Sequence, residues 1–135
     1  GRDYLYPISL EGALKMKEIA YIPSEGYAGG ELKHGPLALI TEKTPVVALA
    51  TCGKKIQSNI KEVRARGAEV IALATEGDPD IGKVASHVIE LPETRPIYSA
   101  VLCTVVVQLL SYYTANKLGL PIDKPRNLAK CVTVE

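Results

Sequence analysis

Pro45-Val-Val-Ala-Leu-Ala-Thr-Cys-Gly53 and, seventeen residues on, Val70-Ile-Ala-Leu-Ala74 decide the fold. Each is a short apolar run bounded by turn-forming residues. Neither alternates with polar residues, which is the pattern of a strand buried on both faces. Between them, residues 54–66 place Ile56, Ile60 and Val63 on one helical face, and Gly67 stands where a C-terminal cap belongs. Strand, helix, strand with buried strands predicts a parallel α/β sheet with right-handed crossovers and helices on both faces, a flavodoxin-like arrangement. Residues 87–91 read as a third strand, and residues 76–86 as turns with room for one short helix.

Outward from this unit, residues 8–22 predict a helix of strong helix formers, preceded by Pro7 and stopped by Pro23. Its apolar positions 10, 13, 14, 16 and 20 fill one broad side. Residues 23–36 form a loop containing Gly26, Gly29, Gly30 and Gly35, with room for one helical turn near residues 25–28. Loops of this length inside a compact domain are often functional. Residues 94–118 predict a long buried helix, with Pro96 in its first turn and Gly119 at its end. Ser99, Thr104, Gln108 and Ser111 interrupt its apolar run, so it reads as a core helix and a poor membrane span. Three strands make a thin sheet, and the chain enters a helix directly after Gly1-Arg-Asp. The expectation is a sheet that lacks at least one strand supplied from upstream.

The chain has 135 residues, 47% of them apolar and 23% charged. That fits one domain able to bury roughly two-thirds of its unfolded surface. All seven aromatic residues are Tyr, so the core must be aliphatic. A net charge of +1 without a basic face excludes the electrostatic footprint of a nucleic-acid binder. Cys52, Cys103 and Cys131 are scattered, with no spacing suited to zinc, so no metal is expected and a reduced cytoplasmic setting is the simplest reading.

The final stretch is Leu120-Pro-Ile-Asp-Lys-Pro-Arg-Asn-Leu-Ala-Lys-Cys-Val-Thr-Val-Glu135. Two prolines stiffen it, Arg126 and Asn127 carry fixed hydrogen-bonding groups, and Lys130 lies near its end. It reads either as a docking segment that delivers a lysine or as an ordinary solvent-facing tail. Three groups could carry chemistry. Glu11, Lys15 and Glu18, spaced i, i+4, i+7, fall within roughly a 60° wedge of helix. On spacing alone a solvated face with a favourable Glu–Lys pair explains them at least as well. In the functional alternative Glu18, one turn from the glycine-rich loop, is the base. His34 sits in Glu31-Leu-Lys-His-Gly-Pro36, where imidazole suits acid–base work near neutral pH. Lys130 could form a Schiff base with a carbonyl and acidify the neighbouring C–H for a carboxylate to remove. Together these are a kit for aldose–ketose isomerisation. The Thr51-Cys52-Gly53 loop, at the C-terminal end of a strand, could seat an anion.

Leu10-Glu-Gly-Ala-Leu-Lys-Met-Lys-Glu18, Gly30-Glu-Leu-Lys-His-Gly-Pro-Leu-Ala-Leu39 and Pro125-Arg-Asn-Leu-Ala-Lys-Cys-Val-Thr-Val-Glu135 closely resemble the C-terminal part of the glucosamine-6-phosphate synthase family, the glutamine:fructose-6-phosphate aminotransferases. The resemblance runs from the first residue to the last. It implies most of a second sugar-isomerase (SIS) fold over residues 1–119 and an active-site tail over residues 120–135. It also implies a first SIS fold and a glutaminase domain upstream, a homodimer, no membrane, and synthesis of glucosamine 6-phosphate and glutamate without cofactor or metal. On matching positions, Lys130 resembles the Schiff-base lysine, Glu18 the base between C1 and C2, and His34 a ring-opening histidine contributed across the dimer interface. Glu11 and Lys15 match supporting polar residues, and Ala129 a backbone contact to the sugar. Arg126 and Asn127 match the part of the tail that closes over the site. Cys131 stands where the family commonly has Ser. The family's main phosphate-binding loop and its ammonia source match nothing in this chain, so residues 1–135 alone are expected to be inactive. A glutamine-independent SIS isomerase or deglycase, and a non-catalytic sugar-phosphate sensor, are the alternatives.

Overall fold

A computed structural model of the chain describes residues 1–128. Three parallel strands, β1 (Val46–Leu49), β2 (Val70–Thr75) and β3 (His87–Leu91), lie in the order β1-β2-β3. Val46 pairs with Val70, and Ile71 with His87. The helices are α1 (Leu5–Ala20), α2 (Lys55–Arg64), α3 (Ile81–Val84) and α4 (Pro96–Lys117). Two 3₁₀ turns, Gly29–His34 and Pro36–Leu39, link α1 to β1.

Successive strand residues face opposite sides of a sheet, and here both sides are covered. Ala48, Ala50, Val70, Ala72 and Ala74 face Ile56, Ile60 and Val63 of α2 and Ile81 of α3. Leu49, Leu73 and Leu91 face Leu5 of α1 and Ala100, Cys103 and Val107 of α4. The two layers are complementary in size. The alanine face receives large α2 side chains, and the leucine face receives small α4 residues.

The helix-sized patterns hold, with shifted ends. α1 begins three residues before the expected start, because Pro7 falls in its first turn, where a missing N–H costs nothing. Of the apolar positions expected inside, Leu10 and Leu14 are exposed, and the buried set is Leu5, Ala13 and Ala20. The turn expected near residues 25–28 lies instead at Gly29–His34.

α4 is buried along one stripe rather than all round. Ser99, Cys103, Val107, Ser111 and Ala115, spaced four apart, face inward with Ala100. Ile97, Val101, Val105, Leu109 and Tyr113 are exposed. By length and composition α4 is apolar enough to cross a membrane, more so than its polar interruptions suggested. A helix that is apolar on every side carries no periodic signal to say which side is covered. Its hydroxyls return to their own helix: Ser111 Oγ donates to the Val107 carbonyl at 3.0 Å and Thr104 Oγ1 to the Ala100 carbonyl at 2.8 Å.

Close approach of α1 to α4 needs Gly12, since a Cβ there would stand 3.0 Å from Val107 Cβ. Gly12→Leu is therefore expected to overpack this contact and destabilise the fold by about 1–3 kcal/mol in chemical denaturation. An unchanged midpoint would show that the two helices are not in tight contact.

Candidate functional site

The i, i+4, i+7 spacing on α1 produces one connected charge cluster. Lys15 Nζ donates to Glu18 Oε2 at 2.5 Å and lies 3.8 Å from Glu11 Oε1. All three side chains are half-buried. α4 adds a fourth member, because Gln108 Nε2 donates to the same Glu11 oxygen at 3.3 Å. The Glu18 hydrogen bond, with the Glu11 and Glu18 charges, holds the Lys15 ammonium above its ordinary value against a smaller desolvation penalty. The cluster is two carboxylates organised by one ammonium, and it leaves Glu18 at the end of α1 nearest the tail.

α1 ends at Tyr21, which takes the left-handed conformation at φ 57°. That conformation costs a non-glycine residue roughly 1–2 kcal/mol. Gly119, at φ 68°, turns the chain after α4, and the tail then runs back to α1. There the Arg126 backbone N–H donates to Tyr21 Oη at 2.7 Å, and the Arg126 guanidinium carbon stands 4.2 Å from the Tyr21 ring centroid. Asn127 is also left-handed, at φ 62°, which Asn tolerates well. Lys17, Glu18, Tyr21, Ile22, Pro23 and residues 126–128 line an open groove of about 530 Å³.

Glu11, Lys15, Glu18, Arg126 and Asn127 are therefore gathered on one side of the molecule, from the two ends of the sequence. Lys130 and Ala129 lie outside the described residues. His34 is not gathered with them. It sits on the Gly29–His34 turn, exposed, with Nε2 3.9 Å from Glu31 Oε2. No hydrogen bond or ion pair among the described residues joins it to α1. This turn is tied to α2 instead: Lys33 Nζ lies 2.9 Å from Glu62 Oε1, and that hydrogen bond draws the Glu62 carboxyl below its usual range. Arg2 reinforces the tie through Asn59 Oδ1 at 3.2 Å, and Asn59 in turn reaches Glu62 at 3.4 Å. Gly35, at φ 132°, ends the turn in a conformation that only glycine adopts readily.

Sequence reasoning missed Tyr21 and Gln108. A large polar aromatic between a helix end and Pro23 was the available signal for Tyr21. For Gln108 it was an amide inside an apolar helix. The Thr51-Cys52-Gly53 loop lies past the end of β1, where Cys52 Sγ is 3.4 Å from Ser99 Oγ.

The raised Lys15 value fixes a pH window. Stabilisation by this ammonium is fully present below its ordinary 10.5 and is lost as pH rises through the raised value. The stability gap between the unsubstituted chain and Lys15→Met should be flat from about pH 6 to 9 and narrow only in strong alkali. A gap that closes near neutrality would contradict the Lys15–Glu18 pairing.

The SIS domain family matches residues 1–117. All of the chain aligns at 57% identity with the glutamine–fructose-6-phosphate aminotransferase (isomerizing) of Methanosarcina mazei, and at 55% with that of Thermus thermophilus. It spans only 22% and 23% of those two relatives. Among solved structures, the C-terminal domain of glucosamine-fructose-6-phosphate aminotransferase from Francisella tularensis superposes with a TM-score of 0.86 at 41% identity, over 92% of this chain and 36% of that one. A Thermotoga maritima protein named glucosamine-6-phosphate deaminase gives 0.75 at 34% identity, over 98% and 38%. With its parallel sheet and helices on both faces, the chain belongs to the SIS domain family.

Proposed function

We propose that this chain is the sugar-isomerising part of a cytoplasmic glutamine-dependent fructose-6-phosphate aminotransferase. The observation that carries the reading is the convergence of Glu18 with residues 126–128 in one groove, in a chain 57% identical to an enzyme of that name. Lys130 adds to the C2 carbonyl of open-chain fructose 6-phosphate, and water leaves as the Schiff base forms. Ammonia from glutamine displaces the lysine. Glu18 then removes a proton from C1 and delivers it to C2, which converts the ketose skeleton into the 2-amino aldose. Lys15 holds the Glu18 carboxylate in place, and Glu11 with Gln108 holds Lys15. Arg126 and Asn127 form the wall from which Ala129 meets the sugar.

Among the described residues His34 neither lines this groove nor bonds to a residue that does. Its part in ring opening then requires a second subunit, so the working enzyme is a homodimer. β1 pairs only with β2 among the described residues. Its other edge receives a strand from a longer chain that also supplies the upstream SIS fold and the glutaminase domain. A second reading, glutamine-independent deamination of glucosamine 6-phosphate, draws on the Thermotoga likeness. It differs in needing no glutamine.

In the full-length protein, glucosamine 6-phosphate formation should require glutamine. Glu18→Gln should slow the exchange of solvent deuterium into the C1 and C2 positions by at least about a hundredfold. Exchange at the unsubstituted rate would remove Glu18 from the mechanism, and release of ammonia from glucosamine 6-phosphate in the absence of glutamine would favour the deaminase reading. Residues 1–135 alone should make no product from fructose 6-phosphate and glutamine. Turnover by that fragment would overturn the division of labour.

A further inference from the structure

Tyr21 belongs to none of the charge clusters, yet its ring is where the two ends of the chain meet. It takes a backbone conformation that a glycine or asparagine would take more cheaply. Strained residues of this kind persist where the surroundings hold them, and they gather at functional sites. Here a helix C-cap holds the backbone, with the Tyr21 and Ile22 N–H groups on the Met16 carbonyl, and the tail holds the side chain. One side chain makes two different contacts with one residue: its oxygen accepts the Arg126 N–H at 2.7 Å, and its ring face carries the Arg126 guanidinium at 4.2 Å. The backbone bond fixes where the tail passes, and the stacked cation fixes its orientation. Lys130 follows Arg126 by four residues, so a fixed Arg126 confines the lysine to a radius of about 13–14 Å. Glu18 stands one helical turn before Tyr21 and lines the same groove.

We infer that Tyr21 is a positioning residue, a latch that anchors the C-terminal tail so that its lysine is presented to the Glu18 groove. The inference rests on the functional reading above and adds what sets the population of the reactive tail. A single latch made of two contacts of ordinary strength biases that population about tenfold.

The test uses the full-length protein with Tyr21→Asn, Tyr21→Phe, Arg126→Ala and the double variant Tyr21→Asn/Arg126→Ala. Asn suits the left-handed backbone and removes the ring, whereas Phe keeps the ring and removes the oxygen. Lys124→Ala, in the same exposed tail, is the control. Tyr21→Asn, which removes both contacts, should lower kcat for fructose 6-phosphate about tenfold, and Arg126→Ala, which keeps the backbone N–H bond to Tyr21 Oη, should lower it by a smaller factor, with the KM for glutamine unchanged in both. Tyr21→Phe should recover part of that loss. The double variant should be no worse than the poorer single variant, because both remove one latch. Hydrogen exchange of the amides of residues 122–124 and 126–128 should speed up about tenfold in Tyr21→Asn and by a smaller factor in Arg126→Ala. Losses that multiply in the double variant, or an Arg126→Ala protein that matches Lys124→Ala, would overturn the latch. Arg126→Ala alters only an exposed side chain, so it decides the matter even where a Tyr21 variant folds poorly. If the unsubstituted protein makes no glucosamine 6-phosphate, the functional reading fails, and hydrogen exchange still judges the latch separately.

Discussion

The central strand β2 is buried on both faces, and the rest of the structure follows from that. Val70, Ala72, Leu73 and Ala74 are each fully buried. A strand sealed on both sides requires a helix layer above and below. Parallel neighbours require each connection to cross a face. α2 and α3 take one side, which commits α1 and α4 to the other. The leucines of that second face accept only a close, small-residue helix, so α4 presents Ser99, Cys103, Val107 and Ser111 inward. The charge stripe of α1 is displaced to the flank of this layer, where Gln108 can reach it. The position of Glu18 is thus a consequence of packing several elements away.

The electrostatics of the site are modest in strength and specific in geometry. Partly exposed ion pairs contribute little to stability. What the Glu11–Lys15–Glu18 row supplies is orientation, with one ammonium shared between two carboxylates on a rigid helix. Sites built on helices hold their groups more closely than sites built on loops. The opposite wall of the groove has no such rigidity of its own. Residues 126–128 are held by contact with Tyr21 rather than by secondary structure, so the two halves of the site differ in how firmly they are set.

Much of the fold was legible because its signals were local. The unbroken apolar runs at Val46–Leu49 and Val70–Thr75, the face made by Ile56, Ile60 and Val63, and Gly67 and Gly119 at helix ends all rest on neighbours within a few residues. The covered face of α4 was not legible, because apolar residues surround it and the choice is made by Gly12 and the sheet. Of the site, the α1 stripe was readable from spacing, and the tail stood out for its prolines and its Arg-Asn pair. The meeting of Tyr21 with Arg126, 105 residues apart, was not, since no pattern in either segment points to the other. The separation of His34 from Glu18 is likewise a tertiary fact. The 3₁₀ turn that carries His34 is tied to α2 through Lys33 and Glu62.

The account stands or falls on whether the chain's two ends form one sugar-phosphate site. Borohydride trapping of the full-length protein with fructose 6-phosphate, followed by peptide mass mapping, tests this most directly. The account predicts a reduced sugar adduct on Lys130 and on no other lysine, retained in Glu18→Gln because that residue acts after the Schiff base forms. An adduct on a different lysine, or none at all in a protein that still turns over, would contradict it.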